Sequence, residues 1–337
     1  MKKNLPNKLI KLEDICVLLI GYNRPELLQK RIIELQNSLV TNIRISIDGG
    51  VESTTSEMED VKISAKNILS NKKLILNHHK RNLGLVLHST SEISKVLNLY
   101  KYVIVVEDDV KISKNFMNNM VAGLNKLEEL GLRGIVSGYS PLFQDTFDNK
   151  WRKTHICFLW GWACSSDVWK VYNYDLSTIE VENQLLESKT WKKLNSYQKK
   201  FWLYKIKEVQ KNPLSTWDPQ LIFYSFVNNF TNLTPVFSIV GNEGFMDTRA
   251  VHTKGKKPSN IKNFNLNTDA IKSMSKFSKF YSIVDFDNYY LAIKGKFLRY
   301  LKQTRKILQQ YSYSHQFQTQ QLLALLRYVE ELSEQRI

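Results

Sequence analysis

The chain has 337 residues, enough for two domains or for one large domain with an appendage. Hydrophobic residues make up 43% and charged residues 24%, which excludes intrinsically disordered, collagenous and low-complexity classes. With 48 Lys and Arg against 32 Asp and Glu, the formal net charge of +16 favours anionic partners: nucleic acid, phosphorylated metabolites or an acidic membrane surface. Cys16, Cys157 and Cys164 are too few for a disulfide framework, and their number fits a reducing compartment. No CxxC pair or Cys/His array reads as a zinc site, and no apolar run approaches the roughly 20 residues that span a bilayer.

Met1-Lys2-Lys3 resembles the start of a signal peptide. However, Lys8, Lys11, Glu13 and Asp14 follow, and the apolar run 15–20 is too short for a hydrophobic leader segment. The sequence therefore predicts a cytoplasmic protein. Residues 15–21 (ICVLLIG) are a continuous apolar run ending in Gly, the pattern of a strand buried on both faces. Asn23-Arg24-Pro25-Glu26 supplies a candidate N-cap and a first-turn Pro. Leu27, Leu28, Ile32 and Leu35 then recur at helical spacing.

The alternation continues. Residues 43–47 (IRISI) predict a strand ending at Asp48-Gly49-Gly50, residues 61–69 a helix, and residues 73–76 a strand. After the polar turn 77–84, residues 88–100 predict a helix. Residues 102–106 (YVIVV) predict a buried strand running into Glu107-Asp108-Asp109. Ser113 is placed to cap a helix through Leu130. Such alternation over about 135 residues predicts a parallel α/β sheet.

The middle of the chain is richer in aromatics: Trp151, Phe158, Trp160, Trp162 and Trp169. Residues 191–211 have a helical period, Trp217-Asp218-Pro219 opens a further helical stretch, and residues 231–255 read as loop. From Asp247 to Gln310 there are 14 Lys and Arg against 4 Asp and Glu, which concentrates about +10 of the charge late in the chain. Residues 297–307 and 320–332 predict amphipathic helices.

Four groups of residues carry candidate chemistry. Glu107-Asp108-Asp109 ends a buried strand, where ligands of open parallel sheets bind. Adjacent carboxylates repel one another and call for a cation, and hard oxygen ligands suit Mg2+ or Mn2+. A solvated acidic turn is the alternative. Gly21-Tyr22-Asn23-Arg24 joins the first strand to a helix N-terminus, a natural anion site, or is an ordinary βα loop. Asp48 ends the next strand, placed to accept from a base or ribose or simply to make a turn. Asp218 is either a helix cap followed by a favoured Pro, a general base, or both. His252, in a polar loop beside Lys254, gains interest only if a metal lies near.

In order along the chain, VLLIGYNRPELL (residues 17–28), ISIDGG (45–50), His88 on a helix, YVIVVEDDVKISKNF (102–116), Trp160-Gly161-Trp162, Trp217-Asp218 and His252 resemble a GT-A-fold glycosyltransferase. They are most similar to the N-acetylglucosaminyltransferase I-like branch and to bacterial polysaccharide glycosyltransferases related to it. The resemblance implies an α/β GT-A domain over residues 1–256. Its nucleotide-binding half is 14–135 and its acceptor half 136–256, with a basic helical region over 257–337.

It also implies inverting, metal-dependent transfer of a sugar from a nucleoside diphosphate sugar, a UDP-sugar such as UDP-GlcNAc. The acceptor is a hydroxyl of a glycan or lipid-linked molecule in surface polysaccharide or glycoconjugate synthesis. By position, Arg24 and Asp48, with Tyr22, Asn23 and His88, contact the nucleotide, and Glu107 and Asp108 contact ribose and donor sugar. Asp109 binds Mn2+ or Mg2+, with His252 near the diphosphate or metal. The loop at Gly161-Trp162 shapes the sugar pocket, and Asp218 is the catalytic base. The family often has a second acid beside its base, where this chain has Pro219.

The competing functions are a nucleotidyltransferase and a non-catalytic nucleic-acid binder. The first lacks a Gly-rich phosphate loop followed by Lys, and the second lacks a zinc-finger, RRM or KH pattern. The expected partners are therefore a sugar nucleotide and a glycan or lipid-linked acceptor rather than nucleic acid. The basic C-terminal region serves either a homodimer contact or peripheral attachment to an anionic membrane face.

Overall fold

The structure is a computed structural model that describes residues 10–50, 55–140, 151–235, 238–244, 247 and 249. The predicted region 257–337 and His252 lie outside the described residues. The first half alternates β1 (Ile15–Gly21), α1 (Pro25–Leu35), β2 (Asn42–Ile47), α2 (Thr55–Ile68), β3 (Lys73–His78), α3 (Leu85–Leu97) and β4 (Tyr102–Glu107). β5 (Val110–Ile112) and α4 (Phe116–Glu129) follow. Next come β6 (Val136–Ser137), β7 (Trp151–Thr154), β8 (Trp162–Ser165) and the helices α5 (Ser166–Trp169), α6 (Val181–Glu187), α7 (Lys189–Lys193), α8 (Ser196–Lys211) and α9 (Asp218–Val227). β9 (Asn232–Pro235) and β10 (Val240–Asn242) complete the described elements.

Eight strands form one sheet in the order β3-β2-β1-β4-β8-β6-β9-β7. β3, β2, β1 and β4 are mutually parallel. β8 joins β4 antiparallel, with Val105 opposite Trp162, and the remaining strands continue a mixed half. The expected α/β architecture, a mostly parallel sheet flanked by helices, is the one observed.

β1 is buried along its whole length because both faces of the sheet are covered. Ile15, Val17 and Leu19 pack on one face with Leu28, Ile32 and Leu35 of α1, Met58 and Ala65 of α2, and Phe116 and Met120 of α4. Cys16, Leu18 and Ile20 point to the other face, with Val86, Ile93 and Val96 of α3 and the aromatic residues of the second half. The period-2 side-chain alternation of a strand thus divides one apolar run between two cores.

Several local expectations are corrected. Arg24, not Asn23, holds the cap position of α1, with no side-chain cap, while Pro25 takes the first turn as expected. α4 begins at Phe116 behind Asn115, and Ser113 contributes only its carbonyl, which accepts from Phe116 N at 2.9 Å. The stretch 191–211 is two helices, because Asn195 and Gln198 form a reciprocal capping box that starts α8 afresh. The stretch 231–255, read as loop, contains β9 and β10. β10 pairs antiparallel with β5, Asn242 opposite Val110. These strands have three or four residues each, too short to show a period. No helix among the described residues is long and apolar enough to cross a membrane.

Candidate active site

β1 ends at Gly21, β2 at Ile47 and β4 at Glu107, so their carboxyl ends lie side by side. The ladders continue one residue further. Asp48 N donates to Gly21 O at 2.9 Å and Asp108 N to Ile20 O at 2.9 Å. Two carboxylates are thereby fixed on either side of the loop that carries Tyr22, Asn23 and Arg24.

On one side, Arg24 reaches across to the acidic corner. Its Nε donates to Asp108 Oδ2 at 3.3 Å, Nη2 to Asp108 Oδ1, and Nη1 to Asp109 Oδ2 at 3.0 Å. Asp108 is buried, and burial pushes its carboxyl up against the opposing pull of Arg24 and the Tyr22 N–H. Glu107 is pushed up by burial and then by the charges of Asp109 and Asp108. The fork geometry of a guanidinium suits this bridging role.

Asp109 has a different surrounding. Its carbonyl accepts from Glu243 N at 2.7 Å, just past β10. A Cβ on Gly244 would stand 2.4 Å from Asp109 Oδ2 and 3.1 Å from Arg24 Nη1, so a larger residue there would push the Arg24–Asp109 pair aside. Asp109 Oδ1 is buried and has no hydrogen-bond partner among the described residues. Glu243 is held in turn by Arg31 of α1, whose Nη2 donates to Glu243 Oε2 and Glu34 Oε1, each at 3.0 Å. Arg249 ties the same segment to Glu26 and Asp247.

On the other side, Asp48 accepts from Gly49 N at 2.9 Å, Leu83 N at 2.8 Å and Gly84 N at 3.0 Å, which shapes the 79–84 loop. Asn82 Nδ2 donates to Tyr22 Oη at 2.7 Å and links that loop back to the first. His88 is buried on α3, with Nε2 2.9 Å from Ser46 Oγ and its ring edge-on to His79 at 5.2 Å. Behind it, buried Glu92 receives Arg44 at 2.7 Å and Lys95 at 2.6 Å. Burial opposes its ionisation, but these cations pull it down to about 2.

Asp218 starts α9. It does not cap the helix, since the cap position is Trp217 and no side-chain cap is made. Its carboxylate instead accepts from Thr216 Oγ1. Asp218 lies within Coulombic reach of Glu107, Tyr172 and Lys205. Trp217 behind it is buried, 5.7 Å from the Trp162 ring, and Trp162 is wholly interior. Gly161, at φ +56°, turns the chain beside Phe116 and Val240, and the half-buried Trp160 before it packs 4.5 Å from Tyr139.

The structure therefore brings Arg24, Glu107, Asp108 and Asp109 together, with Asp218 within Coulombic reach of Glu107. Asp48, Tyr22 and the His88 helix form the neighbouring wall. Sequence reasoning missed Arg31, Glu243 and Gly244. Arg31 had a visible signal: it sits three residues after Leu28 and four before Leu35, a charge on the apolar stripe of a helix.

Among the described residues no group of three His, Cys, Asp or Glu side chains converges on one metal position. The donor set is one carboxylate with a buried unshared oxygen. That suits a hard divalent ion that draws its remaining ligands from substrate phosphates and water, the habit of Mg2+ and its analogues, rather than an all-protein cage.

Burial also sets an acid limit on folding. His155 is buried and held down to about 4, and burial lowers His88 likewise. Both fold neutral, so the unfolded chain protonates first. Their stability contribution is complete above about pH 6.5 and is lost as pH falls towards 4. Denaturant melts should lose roughly 3 kcal/mol on account of His155 between pH 7 and 4. His155→Gln should flatten that slope, and an unchanged slope would show that the ring is not buried neutral.

No family model and no curated protein matches the chain. Among solved structures, it is similar to the mannosyltransferase PcManGT from Pyrobaculum calidifontis in complex with GDP-Man and Mn2+. The TM-score is 0.50 at 12% identity, covering 96% of this chain and 82% of that one. At that identity the likeness is one of fold. This chain has the α/β, mostly parallel architecture of a GT-A mannosyltransferase.

Proposed function

We propose that the protein is a metal-dependent glycosyltransferase that moves a sugar from a nucleoside diphosphate sugar to an acceptor hydroxyl with inversion. One observation carries the reading. At the carboxyl ends of three parallel strands, a carboxylate with an unshared buried oxygen, Asp109, stands beside an arginine, and a further carboxylate, Asp218, lies within Coulombic reach of Glu107. The fold likeness supports it, since the similar mannosyltransferase was solved with GDP-Man and Mn2+.

In this reading Asp109 holds Mn2+ or Mg2+, joined by His252 from outside the described residues. The ion, when bound, neutralises charge on the departing diphosphate. Tyr22, Asn23, Asp48 and His88 line or support the nucleotide side. His88, bonded to Ser46, acts by shaping the wall. Glu107 faces ribose and sugar, Asp108 acts on the donor through Arg24, which it holds by both oxygens, and Arg24 adds positive charge at the phosphate end. Asp218 takes the proton from the acceptor hydroxyl as it attacks the anomeric carbon. Trp217, the residue before Asp218, is buried against the interior Trp162 and anchors the start of α9. The residues around Gly161 bound the sugar pocket. The acceptor is a glycan or lipid-linked molecule of a surface polysaccharide or glycoconjugate pathway, made on the cytoplasmic side.

The donor was expected to be a UDP-sugar such as UDP-GlcNAc, and the structural neighbour adds GDP-mannose as the second candidate. Incubating the full chain with a panel of UDP- and GDP-sugars and Mn2+ should release one nucleoside diphosphate selectively, and EDTA should stop it. Salt-sensitive oligonucleotide binding with no diphosphate released from any donor would instead favour the nucleic-acid binder.

A further inference from the structure

Asp109 is not simply open to a cation. One oxygen, Oδ2, is taken by Arg24 Nη1 at 3.0 Å, and the other, Oδ1, is buried without a partner. The same guanidinium spans both oxygens of Asp108. Arg24 is mostly buried, with 14% of its side chain exposed. Ionised Asp108 and Asp109 would repel each other, and Arg24 is the cation seen to offset them. Gly244 lies against the Arg24–Asp109 pair, where a Cβ would crowd both side chains. The loop that carries Gly244 is fixed to α1 by the Glu243–Arg31 pair.

Arg24, by contrast, belongs to the short βα loop before α1 and sits at the helix cap without a side-chain cap bond, so its side chain can swing without unmaking the helix. A dication brought to Asp109 meets a carboxylate already paired with a guanidinium. A guanidinium on Oδ2 and a dication on Oδ1 would stand on the two oxygens of one carboxylate and repel each other strongly.

We infer that Arg24 is the resident counter-ion of the acidic corner, competing with the divalent cation for Asp109 and giving up its Nη1 bond to Asp109 when the cation is taken up. Its bonds to Asp108 remain, so the corner is never left without a balancing charge. The consequence is a corner that holds a free dication weakly by design, because the metal must displace an internal ion pair first. This rests on the metal-dependent reading above and adds a residue that sets metal affinity rather than one that touches the sugar.

The test reads metal binding directly. The full chain, without nucleotide, is titrated with Mn2+ and free Mn2+ is followed by electron paramagnetic resonance, for wild type, Arg24→Gln, Arg24→Lys and Asp109→Ala. Arg24→Gln removes the competing charge and is expected to tighten Mn2+ binding about tenfold or more. Arg24→Lys keeps a charge but cannot bridge two carboxylates, and should fall between it and wild type. Lysine also preserves the pairing of buried Asp108, so it carries the test if Arg24→Gln does not fold, as judged by circular dichroism.

Binding that is lost in Asp109→Ala but equal or weaker in both Arg24 variants would overturn the inference while leaving the metal site standing. Binding that does not depend on Asp109, with or without UDP or GDP, would overturn both.

Discussion

Asp109→Ala is expected to lower sugar transfer by about a thousandfold or more and to abolish its dependence on Mn2+. Metal Lewis-acid assistance is worth several kcal/mol of transition-state stabilisation, and each 1.36 kcal/mol is about a factor of ten in rate. The side chain is well suited to show this without collapse of the fold. Removing it deletes one of three adjacent carboxylates, eases the repulsion that pushes Glu107 up, and leaves Arg24 on Asp108. The backbone bond from Glu243 N to Asp109 O survives, so β10 and the Gly244 contact stay in place. A melting temperature near that of wild type with loss of turnover separates a ligand role from a structural one. Unchanged turnover that also ignores chelator would remove metal dependence from the proposal.

The first half of the fold was legible because its signals are strong and local. Seven consecutive apolar residues in β1 have one physical use, a strand covered on both sides. The acidic triplet, which begins at the last residue of β4, marks where β4 leaves the core. Arg24 was visible as a residue of interest, but its partner was not. Bonding to Asp108 and Asp109 joins positions 84 and 85 residues apart, and that pairing follows from β1 lying next to β4 in the sheet.

The same reason hid the far wall of the corner. Gly244 gives no propensity signal beyond a turn, and the side chain that a Cβ there would crowd, Asp109, is far away in sequence. β5 and β10, three residues each, exist because they pair with each other. His88 shows the converse limit. The resemblance implied nucleotide contact, and what only the fold shows is that the ring is buried on α3 with Nε2 2.9 Å from Ser46 Oγ. The capping preference of Asp218 also failed. Asp218 is the first residue of α9 rather than its cap, and its carboxylate accepts from Thr216 Oγ1.

The Thr216 bond makes Asp218→Asn the most discriminating substitution at the proposed base. Asn keeps the size and an oxygen that accepts from Thr216 Oγ1, so the local geometry is retained. The loss of an anion in the first turn of α9 costs about 0.3–1 kcal/mol of helix-dipole interaction. Proton removal from the acceptor hydroxyl is lost entirely, and general-base assistance is worth roughly a hundred- to ten-thousandfold. Transfer to acceptor should therefore fall by that order, while donor nucleotide affinity, measured calorimetrically with Mn2+ present, stays within about threefold of wild type. Stability measured by denaturant should shift by no more than the dipole figure. The two effects differ by orders of magnitude and are read in separate experiments. Wild-type turnover in Asp218→Asn would leave Asp218 as the first residue of a helix and nothing more. A proportional loss of donor binding would move it from the acceptor side of the corner to the nucleotide side.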